Sequence, residues 1–114
     1  DCFDIKIADL GFAQKFDKNK GLELSLGTPL YMAPTRPEQK YSEKVDVWSL
    51  GCIVYQLLSG DTPFDGKDIR DLNKSIVKTK PKFTSIEWTN VTQSAKDFIK
   101  LCLTKDQQKR PSIE

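Results

Sequence analysis

The sequence predicts a mainly α-helical domain that carries one short β element. The strongest indication is the stretch Val45–Leu58, in which apolar side chains point in every direction. A helix that is apolar all round is buried, whereas a surface helix has one polar face. Two later segments have apolar residues at helical spacing, and the first residues alternate in polarity as a short strand does. The 114 residues are enough for one domain with one hydrophobic core.

The composition excludes several classes of function. The net charge of +2 is too small to indicate a nucleic-acid or membrane partner. The chain contains no histidine, which excludes Ser-His-Asp and Cys-His catalysis and most zinc sites. Its three cysteines are odd in number and widely spaced, which indicates a reducing, cytoplasmic compartment. A local basic run is most simply explained as a solvated helix end; it consists of Lys74, Lys78, Lys80 and Lys82.

The chain begins with alternating apolar residues that predict a strand at Phe3–Ala8, followed by a turn at Asp9–Gly11. From Phe12 to Pro37 the sequence has neither helical nor strand periodicity, and it is rich in glycine and proline. Loops of this length in compact domains usually have a function. We therefore expect the functional residues in this loop.

Three helices are predicted after the loop. The central helix, at residues 45–58, is expected to be capped by Ser42 and ended by Gly60. A second helix is predicted from Gly66 to Lys78 with Asp65 as its cap, and a third at Gln93–Leu103 with Thr92 as its cap. The residues expected to face inward are Ile69, Leu72, Ile76 and Val77 in the second helix and Ala95, Phe98, Ile99 and Cys102 in the third.

Five segments, taken in order, resemble the protein kinase family, specifically its C-terminal lobe from the magnesium-binding segment onward. The residues I-K-I-A-D-L-G at 5–11 resemble the strand and D-F-G segment, with Leu10 as a conservative replacement for Phe. G-T-P-L-Y-M-A-P at 27–34 resembles the end of the activation segment. D-V-W-S-L-G at 46–51 matches the central helix, and G-D-T-P-F at 60–64 and R-P-S at 110–112 match the segments that follow.

This resemblance implies an enzyme that transfers the γ-phosphate of ATP to protein hydroxyl groups. Such transfer requires Mg²⁺, which prefers carboxylate oxygen ligands. Asp9 matches the family's metal ligand, although the tripeptide alone would equally be an ordinary turn-forming Asp before glycine. ATP and Mg²⁺ are thus the implied cofactors of the complete domain.

The resemblance also assigns residues 9–35 to the activation segment, which includes Leu10, Gly11, Ser25, Gly27 and Thr28. In serine/threonine kinases the threonine matched by Thr28 bonds the catalytic loop. The family's usual phosphorylation position falls nearer Leu24, so Ser25 is more simply a solvated loop serine. The residues that the family places against the protein substrate are Thr28, Pro29, Leu30 and Tyr31.

Structural roles are implied for Asp46, Trp48, Gly51 and Arg110, and one departure concerns Thr35. Thr35 stands where the family has the Glu of A-P-E, which forms a buried ion pair with the arginine matched by Arg110. Removing one partner of such a pair typically costs about 3–5 kcal/mol. Either Glu38 replaces it, or Arg110 is solvated, or the sequence is in error at residues 35–37. The hypothesis is a weakened anchor for the activation segment.

The chain has no Gly-rich phosphate loop, no V-A-I-K-type lysine and no H-R-D catalytic loop. It therefore holds no catalytic residue, depends on an N-terminal lobe in cis, and is expected to be inactive when isolated. Two functional alternatives remain open: part of an active serine/threonine kinase, or a pseudokinase or helical interaction module without catalysis. The sequences S-E-K-V-D-V-W-S-L-G at 42–51 and D-x-x-x-R-P-S at 106–112 resemble those of the calcium/calmodulin-dependent or autophagy-initiating kinase groups.

Overall fold

The computed structural model describes residues 4–22, 27–34 and 40–114. Within them, three α-helices account for most of the regular structure, which confirms the predicted mainly helical class. The helices are α1 (Val45–Ser59), α2 (Ile69–Lys78) and α3 (Gln93–Cys102), with short 3-10 helices at Leu10–Phe12, Pro29–Tyr31 and Ile86–Trp88.

The short β element is not where the sequence placed it. Residues 4–8 form no strand, and Ile5 and Ile7 are 95% and 89% exposed. Alternating apolar residues are buried in a strand only if another element packs over them, and no described residue does so. The β pairing found in the described chain is one antiparallel bridge, in which Leu22 and Tyr41 exchange backbone hydrogen bonds of 2.8 and 2.9 Å.

Helix α1 begins and ends close to the predicted residues, but its N-cap differs from the predicted one. Gly60 has a φ of 80°, the left-handed conformation in which glycine commonly ends a helix. The N-cap is Lys44 rather than Ser42, and Lys44 makes no side-chain cap hydrogen bond. Ser42 instead accepts a hydrogen bond of 3.3 Å from the Lys44 amide, which is a local turn just before the helix.

The expectation that α1 is buried on all sides is wrong for the described chain. Trp48 and Cys52 are fully buried, but Ile53, Leu57 and Leu58 are exposed, Leu57 by 80%. The apolar pattern indicated how much of the helix surface is suited to burial, whereas the described elements cover only one side of it. Helix α1 therefore has one buried face and one uncovered apolar face.

Of the caps predicted for the two other helices, one differs from the structure and one agrees with it. The carboxylate of Asp68, not Asp65, caps α2 by accepting a 2.8 Å hydrogen bond from the Asp71 amide, so this helix begins later than predicted. Thr92 caps α3 as predicted, through a 3.3 Å hydrogen bond from the Ala95 amide. Three residues expected to face inward are exposed: Ile69, Val77 and Phe98.

The core forms where α3 crosses α1. A Cβ added at Gly51 would lie 2.6 Å from the Cβ of Cys102 and 3.1 Å from Leu103. Real Cβ atoms do not approach this closely, so the glycine permits the two helices to pack together. Burial raises the pKa of the Cys52 thiol in this core to about 12. Cys52 and Cys102 are both free and buried.

Aromatic rings fill the rest of the core. The ring of Trp48 stacks on Phe64 with centroids 5.5 Å apart and planes 10° from parallel. A second group consists of Tyr55, Phe83 and Trp88, and Trp88 lies 4.7 Å from each of the other two rings. Such contacts add to the free energy gained from burying the rings.

Candidate substrate-binding segment and its anchors

Residues 27–34 are held against the middle of α1 by two side chains. The Ser49 hydroxyl donates a 2.8 Å hydrogen bond to the backbone carbonyl of Tyr31. The Tyr31 hydroxyl in turn donates a 2.7 Å hydrogen bond to Oε1 of Gln56. Sequence reasoning did not assign either residue a role, although both interrupt an otherwise apolar helix. That interruption is the signal by which they could have been found.

The segment itself is a short 3-10 helix preceded by Thr28. The Tyr31 amide donates a 3.1 Å hydrogen bond to the Thr28 carbonyl, while the Thr28 side chain is exposed and makes no cap hydrogen bond. Gly27 has a φ of 128°, which L side chains rarely adopt. Leu30 and Tyr31 pack against the core. They anchor the segment, while Thr28 stays accessible.

A groove of about 300 Å³ separates this segment from α2. All but one of its lining residues are apolar by type, and they include Ile69 and Val77, the α2 residues whose exposure was unexpected. Of the four residues that the resemblance places against substrate, Pro29 lines the groove. The lining residues are Pro29, Met32, Ala33, Pro34, Ile69, Asn73, Ile76 and Val77. This groove can accept an apolar side chain of a bound peptide.

Asp9 lies in a different setting from the one expected. It was expected at the end of a buried strand, but the residues before it are exposed, as are Asp9 and Leu10. Asp9 has φ 59° and ψ 62°, a left-handed conformation that Asp tolerates better than most residues. The positive φ thus belongs to Asp9 rather than to Gly11, and a short 3-10 helix follows directly.

Asp9 carries a side chain of the type that Mg²⁺ binds, but the described residues do not form a complete site. Mg²⁺ is usually bound by one or two carboxylates together with substrate phosphates and water. The exposed Asp9 carboxylate fits one of those ligands. Across residues 4–22, 27–34 and 40–114, no group of three His, Cys, Asp or Glu side chains lies close enough to hold a metal ion.

Arg110 is buried, with 1% of its surface exposed, which excludes the expectation that it is solvated. Its Nε donates a 2.8 Å hydrogen bond to the Thr104 carbonyl. Its two terminal nitrogens donate to the carbonyls of Lys44, at 3.0 Å, and Lys105, at 3.3 Å. The guanidinium therefore ties the start of α1 to the loop after α3.

The Arg110 guanidinium also lies over the Trp48 ring, 5.1 Å from its centroid. Burial lowers the pKa of Arg110 to about 10, and the charge of Asp106 opposes this shift. Among the described residues, no carboxylate lies within ion-pair distance of the guanidinium. Backbone carbonyls and an aromatic face thus satisfy this buried cation there.

Four residues whose roles were discussed from the sequence lie outside the described residues: Leu24, Ser25, Thr35 and Glu38. The Asp46 carboxylate is exposed in the first turn of α1, where a negative charge is favoured by the helix dipole. It makes no hydrogen bond to a described residue. None of the helices that the structure describes is long and apolar enough to cross a membrane.

Comparisons with known proteins agree with this architecture. The family described as "Protein kinase domain" matches residues 2–114. Calcium-dependent protein kinase 5 of Plasmodium falciparum is 40% identical over 96% of this chain and 19% of its own length. Serine/threonine-protein kinase PEPKR2 of Arabidopsis thaliana is 38% identical over 93% of this chain and 23% of its own length.

Myosin light chain kinase 2 of Mus musculus is 38% identical over 96% of this chain and 18% of its own length. The chain thus spans about a fifth of the length of the curated relatives it matches. The match covers the ordered segments at 5–11, 27–34, 46–51, 60–64 and 110–112. Together with the helical architecture, it shows that this chain belongs to the protein kinase family, of serine/threonine type, and corresponds to part of the C-terminal lobe.

Proposed function

We propose that this chain is part of an enzyme that transfers the γ-phosphate of ATP to serine or threonine hydroxyls of proteins. The observation that carries the proposal is the anchoring of residues 27–34 to α1. Their sequence, G-T-P-L-Y-M-A-P, resembles that of serine/threonine kinases. Ser49 and Gln56 of α1 fix the backbone and side chain of Tyr31, while Thr28 and the groove beside Pro29 stay accessible. A non-catalytic platform would have no need for an accessible Thr28 beside a groove.

Each matched residue has one role in this proposal. Asp9 supplies one carboxylate to Mg²⁺, and Mg²⁺ neutralises charge on the ATP phosphates. Thr28 bonds a catalytic loop outside this chain and helps to shape the substrate site. Arg110 ties the start of α1 to the loop after α3, and Asp46 accepts hydrogen bonds from the backbone of the catalytic loop. The N-terminal lobe in cis supplies the ATP site.

The groove gives the proposal a further, testable feature. Its apolar lining residues, such as Ile76 and Val77, favour substrates with an apolar residue next to the phosphorylated hydroxyl, because burying such a side chain contributes at most about 1.5–3 kcal/mol. The relatives' names support protein phosphorylation in general, and the substrate of this protein is proposed only at that level. A cytoplasmic location accords with the free, buried thiols of Cys52 and Cys102.

The test is magnesium-dependent phosphate transfer by the full-length protein to serine, threonine and tyrosine peptides. Asp9→Asn should reduce transfer at least about 100-fold, because a carboxylate ligand of the metal is removed. Asp65→Asn removes an exposed carboxylate elsewhere and should leave transfer unchanged. Equal activity of wild type and Asp9→Asn would contradict the metal role, and transfer to tyrosine alone would contradict the serine/threonine assignment.

The second candidate is a pseudokinase or helical interaction module, and Thr35 in the position of the A-P-E glutamate favours it. This candidate predicts no transfer by the full-length protein at any magnesium concentration. It also predicts that Asp9→Asn leaves binding of a protein partner intact. In either case the isolated chain of residues 1–114 is expected neither to bind ATP tightly nor to transfer phosphate.

A further inference from the structure

A basic cavity of about 430 Å³ lies where the end of α2 approaches the end of α3. It shares no lining residue with the groove beside Pro29, so it is separate from the proposed substrate segment. Three of its lining side chains are lysines and none is acidic. The lining residues are Lys80, Pro81, Lys100, Leu103, Thr104 and Lys105.

Nearby charges do not neutralise these lysines. The chain between Leu72 and Ile86 contains Lys74, Lys78, Lys80 and Lys82 but no Asp or Glu. Lys74 is paired with Asp71 at 3.4 Å on α2, and neither residue lines the cavity. Asp97, three residues before Lys100 on α3, accepts a 2.9 Å hydrogen bond from Gln93, and Asp106, next to Lys105, accepts one of 2.9 Å from the Gln108 amide. Neither forms an ion pair with a lysine of the cavity in the described chain. The basic run noted in the sequence therefore continues into a concave site, where like charges raise the local positive potential.

Two of the ammonium groups are held in place by aromatic rings. The Lys100 ammonium lies 5.6 Å from the centroid of Phe83. The Lys105 ammonium lies 5.1 Å from the centroid of Phe64 and donates a hydrogen bond to the carbonyl of Ile76. Carbonyls at the C-terminal end of a helix repel anions, so Lys105 masks one that would otherwise oppose an anionic ligand.

Lys80 and Lys100 remain available for a ligand. Both are exposed, and their ammonium groups make no hydrogen bond or ion pair to a described residue. The surface between them is largely apolar, with half-buried Pro81 as its exposed part and the edge of Leu103 as its floor. A ligand that fits this surface carries negative charge together with hydrocarbon, which a free inorganic anion does not.

We propose that this cavity docks an acidic peptide segment of a protein partner. Carboxylates of the segment pair with Lys80 and Lys100, and an apolar side chain between them packs on Pro81 and Leu103. The docking site lies apart from residues 27–34, so it recruits a partner without occupying the groove beside them. It does not depend on whether the protein transfers phosphate.

The experiment measures binding of a fluorescein-labelled peptide of alternating Glu and Leu to the full-length protein by fluorescence anisotropy. Lys80→Gln/Lys100→Gln should weaken binding at least about fivefold, because two ion pairs to a partly apolar site are lost. Lys18→Gln/Lys67→Gln removes the same charge from exposed sites elsewhere and should bind as wild type does. Lys105 is left unchanged because it bonds α2.

Four further measurements decide the nature of the site. Binding should weaken as salt is raised from 50 to 300 mM, and it should disappear when Gln replaces Glu in the peptide. Equal binding by both double variants, or no binding by wild type, would overturn the proposal. Competition by inorganic phosphate at the peptide's own concentration would show an ion site only. Binding to phosphatidylserine vesicles but not to the peptide would show a membrane surface instead.

Discussion

Residues 4–22 and residues 40–114 have similar kinds of apolar side chain but bury them very differently. In the later region, Trp48, Phe64 and Trp88 are almost fully buried around α1. In the earlier region, Ile5, Ile7, Leu10 and Phe12 are all exposed. The earlier region contacts the later one through the backbone bridge between Leu22 and Tyr41.

This difference indicates which part of the chain contributes most to the free energy of folding. Burial of apolar surface is the main favourable term in folding, and it is concentrated between α1, α3 and the aromatic rings. The earlier region carries the proposed metal ligand but contributes little buried surface. Among the described residues, little buried surface therefore fixes its position, whereas the core around α1 is already complete on one face.

The largest expected difference between the regions is produced by truncating Trp48. Trp48→Ala should lower the free energy of unfolding by about 3–5 kcal/mol, because it leaves a cavity beneath Phe64 and removes the face on which Arg110 lies. Phe12→Ala, in the exposed region, should change it by less than about 0.5 kcal/mol. Urea unfolding of residues 1–114, followed by circular dichroism, measures both. Similar losses for the two variants would remove the distinction between the regions.

A second comparison uses one glycine from each region. Gly51→Ala should lower the free energy of unfolding by about 1–3 kcal/mol, because its new methyl group would lie 2.6 Å from the Cβ of Cys102. Gly11→Ala should have little effect, since the nearest atom lies 3.8 Å from the added Cβ. The same urea measurements apply. A stable Gly51→Ala variant would mean that α1 and α3 can separate without loss.

The third prediction concerns pH and the buried thiol of Cys52. Its pKa is about 12 in the folded state and about 9 when exposed, so between these values the unfolded chain loses the proton first. Stability therefore falls as pH rises from 9 toward 12, by at most about 1.4 kcal/mol per pH unit. The slope of unfolding free energy against pH should be shallower in Cys52→Ala. Equal slopes in the two proteins would show that the thiol titrates freely in the folded state.

The smallest effect on stability is expected at the exposed apolar residues. Ile7→Ser and Leu57→Ser should each change the free energy of unfolding by less than about 0.5 kcal/mol. They should, however, reduce binding of the dye 8-anilinonaphthalene-1-sulfonate and raise the solubility of residues 1–114, because uncovered apolar surface promotes association. A wild-type chain that is monomeric and does not bind the dye would contradict this.

Local patterns predicted the helices well and their details less well. The apolar spacing gave α1 and α3 to within one residue at each end, because periodic apolar positions reflect the face that must be buried. The cap of α2 was misplaced by three residues because Asp65 and Asp68 are equally suited by type. Which of the two caps the helix depends on the path of the chain around Gly66, which packs closely against the Leu72 backbone. The sequence alone does not specify that path.

For the candidate site, too, the general identity could be predicted from the sequence and the individual contacts could not. The order of the kinase-like segments was sufficient to predict the family, and the family match over residues 2–114 confirms it. The roles of Ser49 and Gln56 could not be derived, because a polar residue in a helix has many potential partners and only tertiary contacts select one. Arg110 donates to the carbonyls of Thr104 and Lys105, which are near in sequence, and to that of Lys44, which is distant, whereas the resemblance suggested only an ion pair.

The sequence by itself determined the helical class, the family and the approximate extent of each helix, because these depend on local periodicity and on the order of motifs. The tertiary structure alone decided which apolar face is covered, where Arg110 finds its hydrogen-bond partners and how residues 27–34 are fixed to α1. The physical reason is that burial and hydrogen bonding depend on which distant residues meet. Local sequence specifies what a side chain can do, and packing selects which of those contacts it makes.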